Sequence, residues 1–464
     1  MTTELRACID MEAALNATSP LLALAVDYLR PWSSRGGVSL AMVDDAHLRW
    51  ADYRDPDWGK FVPPREAHNR LLRVNILGGR LYYYTCTSEK HSPKRYAREL
   101  ALLELIDAAI AAHGAPPDVD LVLSISDRPT VPRAAAGDSP PLVFAYSTSP
   151  YHHAVPFPPV TFAPRRWAAL HRKLGTHPPL AEREQRALWR GTCNSLCDGR
   201  QPPCSARRRR DAALMHRRML LDAAARCPKL ADVGIVKPHK NCAGFAQRQP
   251  VPMRRHAEFA FVAHVDGNGF SGRLDELLTL GGVVLKQASP FSAFYYPLLR
   301  PGVHYAPLHR NGSDLCAAVA ALRADPPRAA AIAAAATSLA RAVLSPASVL
   351  AYVSALLRGY ATLQRFTPRR HPHAKPWRPP RQWPSDYGLR QANAGGVGDG
   401  ASAAAAAGQA EGGGRRRAQH LRPARGPTLA HAQDEAGACS SLGCCRRHPK
   451  AAGCTRRRGA YKRL

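Results

Sequence analysis

Short apolar runs alternate with amphipathic segments through the first third of the chain. Residues 74–84 consist of two apolar runs around a pair of glycines, which is typical of a β-hairpin. Residues 93–113 carry leucine and isoleucine at helical spacing and predict a helix. Residues 119–125 and 142–146 are apolar runs between turn residues, as in buried strands. The pattern predicts an α/β domain in which residues 119–125 form a buried parallel strand.

The middle of the chain mixes basic, apolar and turn-forming segments. Residues 187–192 form a strand-like run that ends in a turn. Residues 206–225 are predicted as a very basic helix, and residues 226–257 are predicted as loops. The N-terminal residues 1–65 show only weak helical periodicity, so this segment has no defined fold prediction.

Helix signals return towards the C-terminal end. Ser313 and Asp314 are predicted to cap one helix, and Pro326 interrupts the apolar spacing before an alanine-rich helix. Ser345 is an N-cap candidate because a proline follows it at the first helical position. The helix after Ser345 is predicted to end near residue 364.

The sharpest pattern combines a strand, a glycine-rich turn, a helix and a second strand. These elements are predicted at residues 259–265, 266–272, 273–280 and 283–286. Glycines between a strand and a helix N-terminus let backbone amides approach an anion, which makes the turn a candidate phosphate site. The turn lacks the GK[ST] ending of a P-loop, which disfavours a nucleoside triphosphatase. A plain tight turn is the alternative interpretation.

Charge and composition narrow the classes of protein. The 464 residues include 65 Lys and Arg against 35 Asp and Glu, a formal net charge of +30. This excess favours anionic partners, such as nucleic acid or a diphosphate in a basic cleft, although an arginine-rich proteome produces the same excess. The 45% of hydrophobic residues permits a large core. No run of about 18 apolar residues predicts a membrane span, and the N-terminus lacks the basic start of a signal peptide.

The cysteines cluster in the middle of the chain. Of the 12 present, Cys193, Cys197, Cys204, Cys227 and Cys242 lie within 50 residues. The first three have the spacing C-x3-C-x6-C, which does not match zinc sites built on CxxC pairs. Disulfides are therefore the preferred interpretation, free thiols come second and a metal site comes last.

Several segments of the chain resemble glycosyltransferase family 90, the family of capsule-associated proteins and Rumi-type protein O-glucosyltransferases. In order along the chain, these segments are residues 117–121, 126–129, 189–192, 261–274, 280–291, 294–296 and 303–307. The resemblance covers residues 70–345 and is densest over residues 186–307. Several motifs in the right order are more specific than any one of them.

The resemblance implies a GT-B-like α/β fold with two Rossmann-like domains facing a cleft. It also implies an inverting transfer of a sugar, glucose or xylose, from a UDP-sugar to a hydroxyl of a protein or glycan. Asp127 matches the general base of the family and follows a predicted strand, where a carboxylate can take the acceptor's proton. Without the resemblance, Asp127 is a loop residue that caps the turn before Pro129.

The other matched residues would hold the donor. Arg190 and Arg273 would neutralise the departing diphosphate, which is electrostatic stabilisation of the transition state. The alternative for both is a structural or surface ion pair, and for the basic run at residues 207–210 it is a solvated helix face. The complete predicted donor set is Arg190, Gly191, Thr192, Arg210, Asp266, Gly267, Asn268, Gly269, Phe270, Ser271, Arg273 and Lys286.

Some features depart from the family pattern. Ser292 and Ala293 stand where members of the family often carry an acidic residue before the Phe-Tyr pair. No DxD motif stands at a strand end, because Asp118 and Asp120 precede the apolar part of their strand. We therefore expect no cofactor and no obligatory metal.

Three other functions each fit part of the sequence. A nucleic-acid-binding protein fits the charge of +30, but no zinc-finger, homeodomain or RNP pattern accompanies it. An inactive family member that acts as a scaffold fits the Ala at position 293. A dinucleotide oxidoreductase is disfavoured because Lys286 and Gln287 occupy the place, about 20 residues after Gly267, where an acidic residue is required.

The expected partners are a UDP-sugar donor and a protein or glycan acceptor, with no specific nucleic acid, and the chain is expected to be a monomer. The resemblance implies a location in the endomembrane lumen. The predicted organisation is an N-terminal region at 1–65, an acceptor-side α/β domain at 66–185, a donor-binding α/β domain at 186–345, a closing helix at 346–365 and a basic, largely disordered tail at 366–464.

Overall fold

A computed structural model describes most of the chain between residues 20 and 383. The described residues are 20–48, 71–85, 93–127, 129–137, 139–168, 177–193, 216–238, 242–267, 269–381 and 383. Their helices are α1 (Pro20–Ser33), α2 (Leu40–Leu48), α3 (Pro93–His113), α4 (Arg133–Ala136), α5 (His216–Ala225), α6 (Leu274–Leu277), α7 (Leu315–Ala324), α8 (Pro326–Val343) and α9 (Pro346–Leu363). Their strands are β1 (Leu71–Leu77), β2 (Arg80–Tyr84), β3 (Val119–Ser124), β4 (Phe144–Ala145), β5 (Val155–Pro156), β6 (Glu184–Gly191), β7 (Ala231–Ile235), β8 (Phe259–His264), β9 (Val283–Gln287), β10 (Ala306–Leu308) and β11 (Lys375–Pro376).

The first sheet has the strand order β11-β2-β1-β3-β4-β5. Strands β1 and β2 form the predicted hairpin, with Leu77 opposite Arg80. Strand β3 is parallel to β4 but antiparallel to β1. The prediction that residues 119–125 form a parallel strand is therefore correct for the pairing with β4 and wrong for the pairing with β1. Helix α3 carries the chain from β2 to β3, which leaves β3 parallel to β2 and therefore antiparallel to the β1 strand between them. The run at residues 142–146 contributes only the two ladder residues of β4.

The second sheet is entirely parallel, with the strand order β10-β9-β8-β6-β7. Strand β7 lies in the segment predicted as loops, and β10 carries no strand prediction. Each gains its backbone hydrogen bonds from a longer neighbour, which a local pattern of apolar residues does not report. The two sheets belong to one compact unit and establish the predicted α/β class with two sheets.

The glycine-rich unit folds as predicted, with a shorter helix. Strands β8 and β9 pair in parallel, and α6 connects them over four residues instead of the predicted eight. The Thr279 hydroxyl donates to the backbone oxygen of Glu276 at 2.7 Å. Gly281, with φ of +68°, then turns the chain into β9.

Helix α9 packs onto the elements around the first sheet. It packs against α1 and α3. The Tyr360 hydroxyl donates to the backbone oxygen of Asp120 at 2.7 Å, and the Tyr352 hydroxyl donates to that of Pro156 at 2.8 Å. Both tyrosines are buried. The Ser345 side chain accepts from the amide of Ser348, which confirms the predicted cap.

The chain remains ordered beyond the predicted start of the tail. Strand β11 pairs with β2, and the amide of Trp377 donates to the backbone oxygen of Leu81 at 2.7 Å. His371 stacks on Tyr84 with ring centroids 4.4 Å apart. The start of the tail at residue 366 was therefore predicted too early, because the exposed edge of β2 provides a template that composition does not reveal.

One predicted helix cap lacks its side-chain hydrogen bond, and the two aspartates at the start of β3 hold other parts of the structure. Asp314 makes no capping hydrogen bond, since its carboxylate accepts from the amide of His309 at 2.9 and 3.0 Å instead. Asp118 and Asp120 are structural: Asp118 accepts from the amide of Gly78, and Asp120 pairs with the buried Arg73 at 2.6 Å.

Two disulfides join elements of the second half of the molecule, which is built on the second sheet. Cys193 is bonded to Cys242, and Cys227 is bonded to Cys316. The second bond connects the segment after α5 to α7. The preference for disulfides over metal ligation is confirmed for these cysteines. Among the described residues, no single helix is long and apolar enough to cross a bilayer; α8 and α9 satisfy that test only as a pair bent by 54°.

Direct contacts join the half of the molecule built on the first sheet to the half built on the second sheet. Thr148 and Ser292 exchange both backbone hydrogen bonds at 2.9 Å, in an antiparallel bridge. Asp275 of α6 accepts from the Thr161 hydroxyl at 3.1 Å and from the Tyr295 hydroxyl at 2.8 Å.

Candidate functional site

Most of the predicted donor residues meet at one edge of the second sheet. Because β6, β8 and β9 are parallel, their carboxyl ends lie at the same edge, where ligands bind in open α/β sheets. Thr192 follows β6, Asp266 and Gly267 follow β8, and Lys286 lies near the end of β9. The topology therefore brings together residues that are up to 94 positions apart in the sequence.

The glycine-rich turn is held by its own backbone and by β9. The amide of Gly267 donates to the backbone oxygen of Gly269 at 3.0 Å. The amide of Asp266 donates to the Gln287 side chain at 3.1 Å, and Ser289 donates to the Asp266 carboxylate. Burial raises the pKa of Asp266, and the Ser289 hydrogen bond opposes this rise.

Two further turn residues face the interior. Phe270 is buried in the main core, and Ser271 is nearly buried. The Ser271 backbone oxygen lies 3.0 Å from Nε2 of His264. Burial and the charge of Lys286 lower the pKa of His264 to about 3, so this imidazole is neutral at physiological pH. Phe270 and Ser271 thus anchor the turn to the interior of the protein.

Gly191 marks a close approach inside the site. A Cβ atom at this position would lie 2.6 Å from the ring of Trp189, which is itself buried. The indole therefore requires glycine at the end of β6. The guanidinium of Arg217 lies over the same Trp189 ring, 5.5 Å from its centroid.

Arg217 is a site residue that the sequence prediction missed. It lies in α5; Nε donates to the backbone oxygen of Asp266 at 3.1 Å and Nη1 to that of Thr192 at 2.8 Å. Burial, followed by the charge of Arg273, lowers the pKa of Arg217 to about 9, so it stays protonated at neutral pH. The sequence prediction selected Arg210 from the basic run at residues 207–210. Nothing in the local sequence distinguishes Arg217 as a site residue.

Arg190 and Arg273 differ in how many of their hydrogen-bond donors are used by groups within the protein. Arg190 pairs with Asp232 at 2.7 Å and also donates to the backbone oxygens of Trp189, Asp232 and Gln249. Arg273 donates to the backbone oxygen of Arg190. The Arg190 side chain thus holds the end of β6, with four of its five N–H donors already used, while its backbone oxygen holds Arg273.

Lys286 adds a positive charge beside two aromatic rings. Its Nζ lies 5.1 Å from the centroid of Tyr296 and 5.3 Å from that of Tyr305, a cation–π arrangement. Burial lowers the pKa of Lys286, and the charge of Asp266 opposes this effect. Arg217, Arg273 and Lys286 together give this edge of the sheet an excess of positive charge.

A buried acidic pair lies on α6 behind the turn. Burial raises the pKa of Asp275 to about 7, against the hydrogen bonds from Tyr295 and Thr161. Burial and the neighbouring Asp275 raise the pKa of Glu276 to about 7, against the charge of Arg273. Oε2 of Glu276 is buried without a hydrogen-bond partner among the described residues.

Asp127 belongs to the first sheet rather than the second. It follows β3, and its Oδ1 lies 3.0 Å from Nη1 of Arg98. Arg98 also donates to the backbone oxygen of Ile125, which fixes the guanidinium at the end of β3. The Asp127 side chain is 47% exposed, so its carboxylate is open to solvent. Arg210 and Asn268 of the predicted set, together with Cys197 and Cys204, lie outside the described residues.

Comparison with known proteins gives consistent family relationships. Protein O-glucosyltransferase 1 of Rattus norvegicus is 25% identical over 207 residues, which cover 43% of this chain and 51% of that protein. Protein O-glucosyltransferase 1 of Homo sapiens is 24% identical over 257 residues, 53% of this chain and 58% of the relative. Human protein O-glucosyltransferase 3 is 32% identical over 111 residues, 24% of this chain and 22% of the relative. The chain thus spans about half the length of the first two.

A solved structure and a family model complete the comparison. The crystal structure of Anabaena HepE in complex with UDP and glucose is 17% identical in sequence, with a TM-score of 0.25. The match covers 40% of this chain and 50% of that chain, and the likeness is weak. The model of glycosyl transferase family 90 matches residues 60–380, more than half of the chain. This match includes both sheets, the glycine-rich turn and Asp127. The chain belongs to glycosyltransferase family 90.

Proposed function

We propose that this protein transfers a sugar, glucose or xylose, from a UDP-sugar to a hydroxyl group of a protein or glycan, with inversion at the anomeric carbon. The observation that carries the proposal is the glycine-rich turn at the carboxyl edge of a parallel sheet, with Arg217 and Lys286 beside it. Such an edge is where α/β sheets bind nucleotides. Family membership and the names of the relatives support the same chemistry.

The donor side of the proposal rests on charge. A leaving nucleoside diphosphate gains negative charge in the transition state, and fixed cations lower the energy of that state. Arg217, Arg273 and Lys286 supply such cations, so the proposed reaction draws its charge neutralisation from side chains and needs no obligatory metal. Arg190 acts in this scheme as a positioning residue for Arg273.

The acceptor side of the proposal rests on Asp127. In the proposed reaction, the carboxylate takes the proton of the acceptor hydroxyl, whose oxygen attacks the anomeric carbon while the bond to the diphosphate breaks. The base comes from the first sheet and the cations come from the second, an arrangement suited to attack from the face opposite the leaving group. Arg98 restrains the carboxylate at 3.0 Å.

We also propose the cellular compartment in which the enzyme acts. The two disulfides of the second half favour an oxidising compartment such as the endomembrane lumen, since disulfides are rare in the cytosol. We propose that the enzyme acts there as a monomer on a UDP-sugar and an acceptor, without a specific nucleic-acid partner.

The test is release of UDP from a panel of UDP-sugars by the purified full chain. One sugar should give turnover, and Asp127→Asn should lower kcat by about 10²–10⁴-fold with little change in UDP affinity. Asp107→Asn, the same change on α3, should behave as the wild type.

Two results would overturn the proposal. If no UDP-sugar is turned over and none raises the melting temperature, the transferase assignment fails. If turnover occurs and Asp127→Asn retains it, the assignment of the base fails while the donor site stands.

A further inference from the structure

A pocket of about 320 Å³ lies on the first-sheet side of the junction between the two halves. Its walls include Tyr28 and Trp32 of α1, Arg133 of α4, and Ser149, His152 and His153 from the segment between β4 and β5. Thr148 and Ser292, which form the backbone bridge between the halves, also line it. None of these residues belongs to the donor site described above.

A strained residue is hydrogen-bonded to the backbone of His153 in the pocket wall. Val131 has a φ of +61°, a conformation that is costly for a β-branched side chain, and it is buried. Its backbone oxygen accepts from the amide of His153 at 2.8 Å, while the amide of Arg133 donates to the backbone oxygen of Tyr151 at 2.9 Å. Such strain concentrates at ligand sites, where the surrounding structure enforces it. Asp127 precedes Val131 by only four residues.

Two charged side chains, Asp27 and Arg133, line the pocket together with several uncharged polar groups. Burial and the charge of Arg133 lower the pKa of both His152 and His153 to about 4, so both imidazoles are neutral. Ser149 Oγ and Nδ1 of His152 lie 2.7 Å apart. Neutral imidazoles and hydroxyls can both donate and accept, which matches the hydroxyl groups of a sugar.

The aromatic residues add an apolar surface. The indole Nε1 of Trp32 already donates to the backbone oxygen of Pro140 at 3.1 Å, and Trp32 is only 2% exposed, so a small apolar part of its ring borders the pocket. That ring meets His153 edge to face at a centroid distance of 6.4 Å. A few oriented polar groups beside aromatic surface are typical of small-molecule sites, and the volume lies in their usual range.

The backbone disfavours an extended peptide here. Pro132 and His152 form an antiparallel bridge, so the segments around these two residues satisfy each other's backbone hydrogen bonds. A peptide that binds as an added strand needs a free edge of backbone groups. The pocket offers side chains instead, which favours a compact polyhydroxylated group.

We propose that this pocket binds a neutral pyranose unit of a glycan acceptor, next to the hydroxyl that is glycosylated. This inference rests on the proposed transferase function. It deepens that function by assigning the acceptor class and a binding site that lies outside the donor residues. The sugar would place its hydroxyls against His152, His153 and Ser149 and an apolar face against Trp32.

The test measures binding of methyl β-glucoside, methyl β-xyloside, methyl β-galactoside and methyl α-mannoside to the full chain by saturation-transfer NMR and calorimetry, with UDP present. An acetylated serine tetrapeptide serves as the peptide probe. At least one glycoside should bind, and His153→Ala and Ser149→Ala should each raise its Kd by about tenfold, the effect of losing a buried hydrogen bond. His113→Ala, an exposed histidine on α3, should not.

The two proposals can fail separately. If UDP-sugar turnover occurs but no glycoside binds or accelerates it, the acceptor inference falls and the transferase function stands. If the peptide binds instead and His153→Ala weakens it, the acceptor is a peptide and the inference is overturned. If glycosides bind without any UDP-sugar turnover, the pocket assignment survives as a sugar site and the proposed function falls.

Discussion

Nε of Arg217 donates a hydrogen bond to the backbone oxygen of Asp266 over 3.1 Å, and this contact ties α5 to the glycine-rich turn. A second hydrogen bond from the same guanidinium reaches Thr192 at the end of β6. One side chain thus joins the ends of two strands at the point where a diphosphate would lie. The relationship makes Arg217 the central cation of the proposed donor site.

Replacing Arg217 by lysine should weaken UDP binding. Lysine keeps the charge but cannot hold both backbone oxygens and a phosphate at once. The loss of a charged hydrogen bond of about 1.5–3 kcal/mol corresponds to an increase in Kd of at least about tenfold. Titration calorimetry with UDP measures this directly.

The neighbouring Arg218→Lys is the matched control. Arg218 pairs with Asp222 at 3.4 Å and lies over the Phe245 ring, away from the turn. Its substitution should leave the Kd for UDP unchanged. If Arg217→Lys also left the Kd unchanged, Arg217 would act only through its charge, and if both substitutions raised the Kd equally, the effect would not be specific to Arg217.

Replacing Glu276 by glutamine should change how stability depends on pH. The pKa of Glu276 rises from 4.5 to about 7 in the folded state because of burial. The folded protein therefore holds a proton that the unfolded chain releases, so the contribution of Glu276 to stability falls as pH rises from 4.5 to 7. Glutamine does not titrate, so the variant should gain stability relative to the wild type over this window, by at most about 3 kcal/mol.

Urea unfolding at pH 5 and at pH 8 measures the difference. Glu258→Gln is the control, because the exposed Glu258 pairs only with Arg255 on the surface. A constant difference between Glu276→Gln and the wild type at both pH values would show that Glu276 titrates normally.

Removal of the Cys227–Cys316 disulfide should destabilise the second half. The two cysteines are separated by 89 positions, so the bond removes much entropy from the unfolded chain. Replacing both by serine should cost about 2–4 kcal/mol of unfolding free energy. The Cys193–Cys242 pair, separated by 49 positions, should cost slightly less. Unfolding curves measure both, and alkylation of all four thiols in the unreduced protein would contradict the assignment.

Loss of the Tyr360 hydroxyl should weaken the docking of α9. Tyr360→Phe leaves the buried backbone oxygen of Asp120 without this donor, which should cost about 1–3 kcal/mol. Tyr82→Phe, on the half-buried Tyr82 of β2, should cost less than about 0.5 kcal/mol. Thermal unfolding compares the two, and equal costs would show that the Tyr360 hydrogen bond contributes nothing net.

The glycine-rich unit could be predicted because its signals are local. Strand, turn and helix succeed one another between residues 259 and 286, and each carries its own periodicity. Asp127, Arg273 and Lys286 were found through the same ordered motifs. Their roles as base and donor contacts stay predictions that the experiments above test.

Arg217 and the pocket around His153 could not be predicted in this way. Arg217 is one of many arginines between residues 206 and 226, and only the packing of α5 selects it. The pocket combines α1 with residues more than 100 positions later, which no local pattern connects. The short strands β7 and β10 were missed because their stability comes from their neighbours.

The sequence by itself determined the α/β class, the family, the helix after Ser345 and the position of the glycine-rich turn. These features depend on periodicity, caps and contiguous motifs, which are properties of the chain within a few turns or strands. Tertiary structure alone decided that β3 lies antiparallel to β1, which cysteines pair, and which arginine reaches the turn. Those outcomes depend on burial and on hydrogen bonds between distant segments, whose free energies exist only once the sheets have assembled.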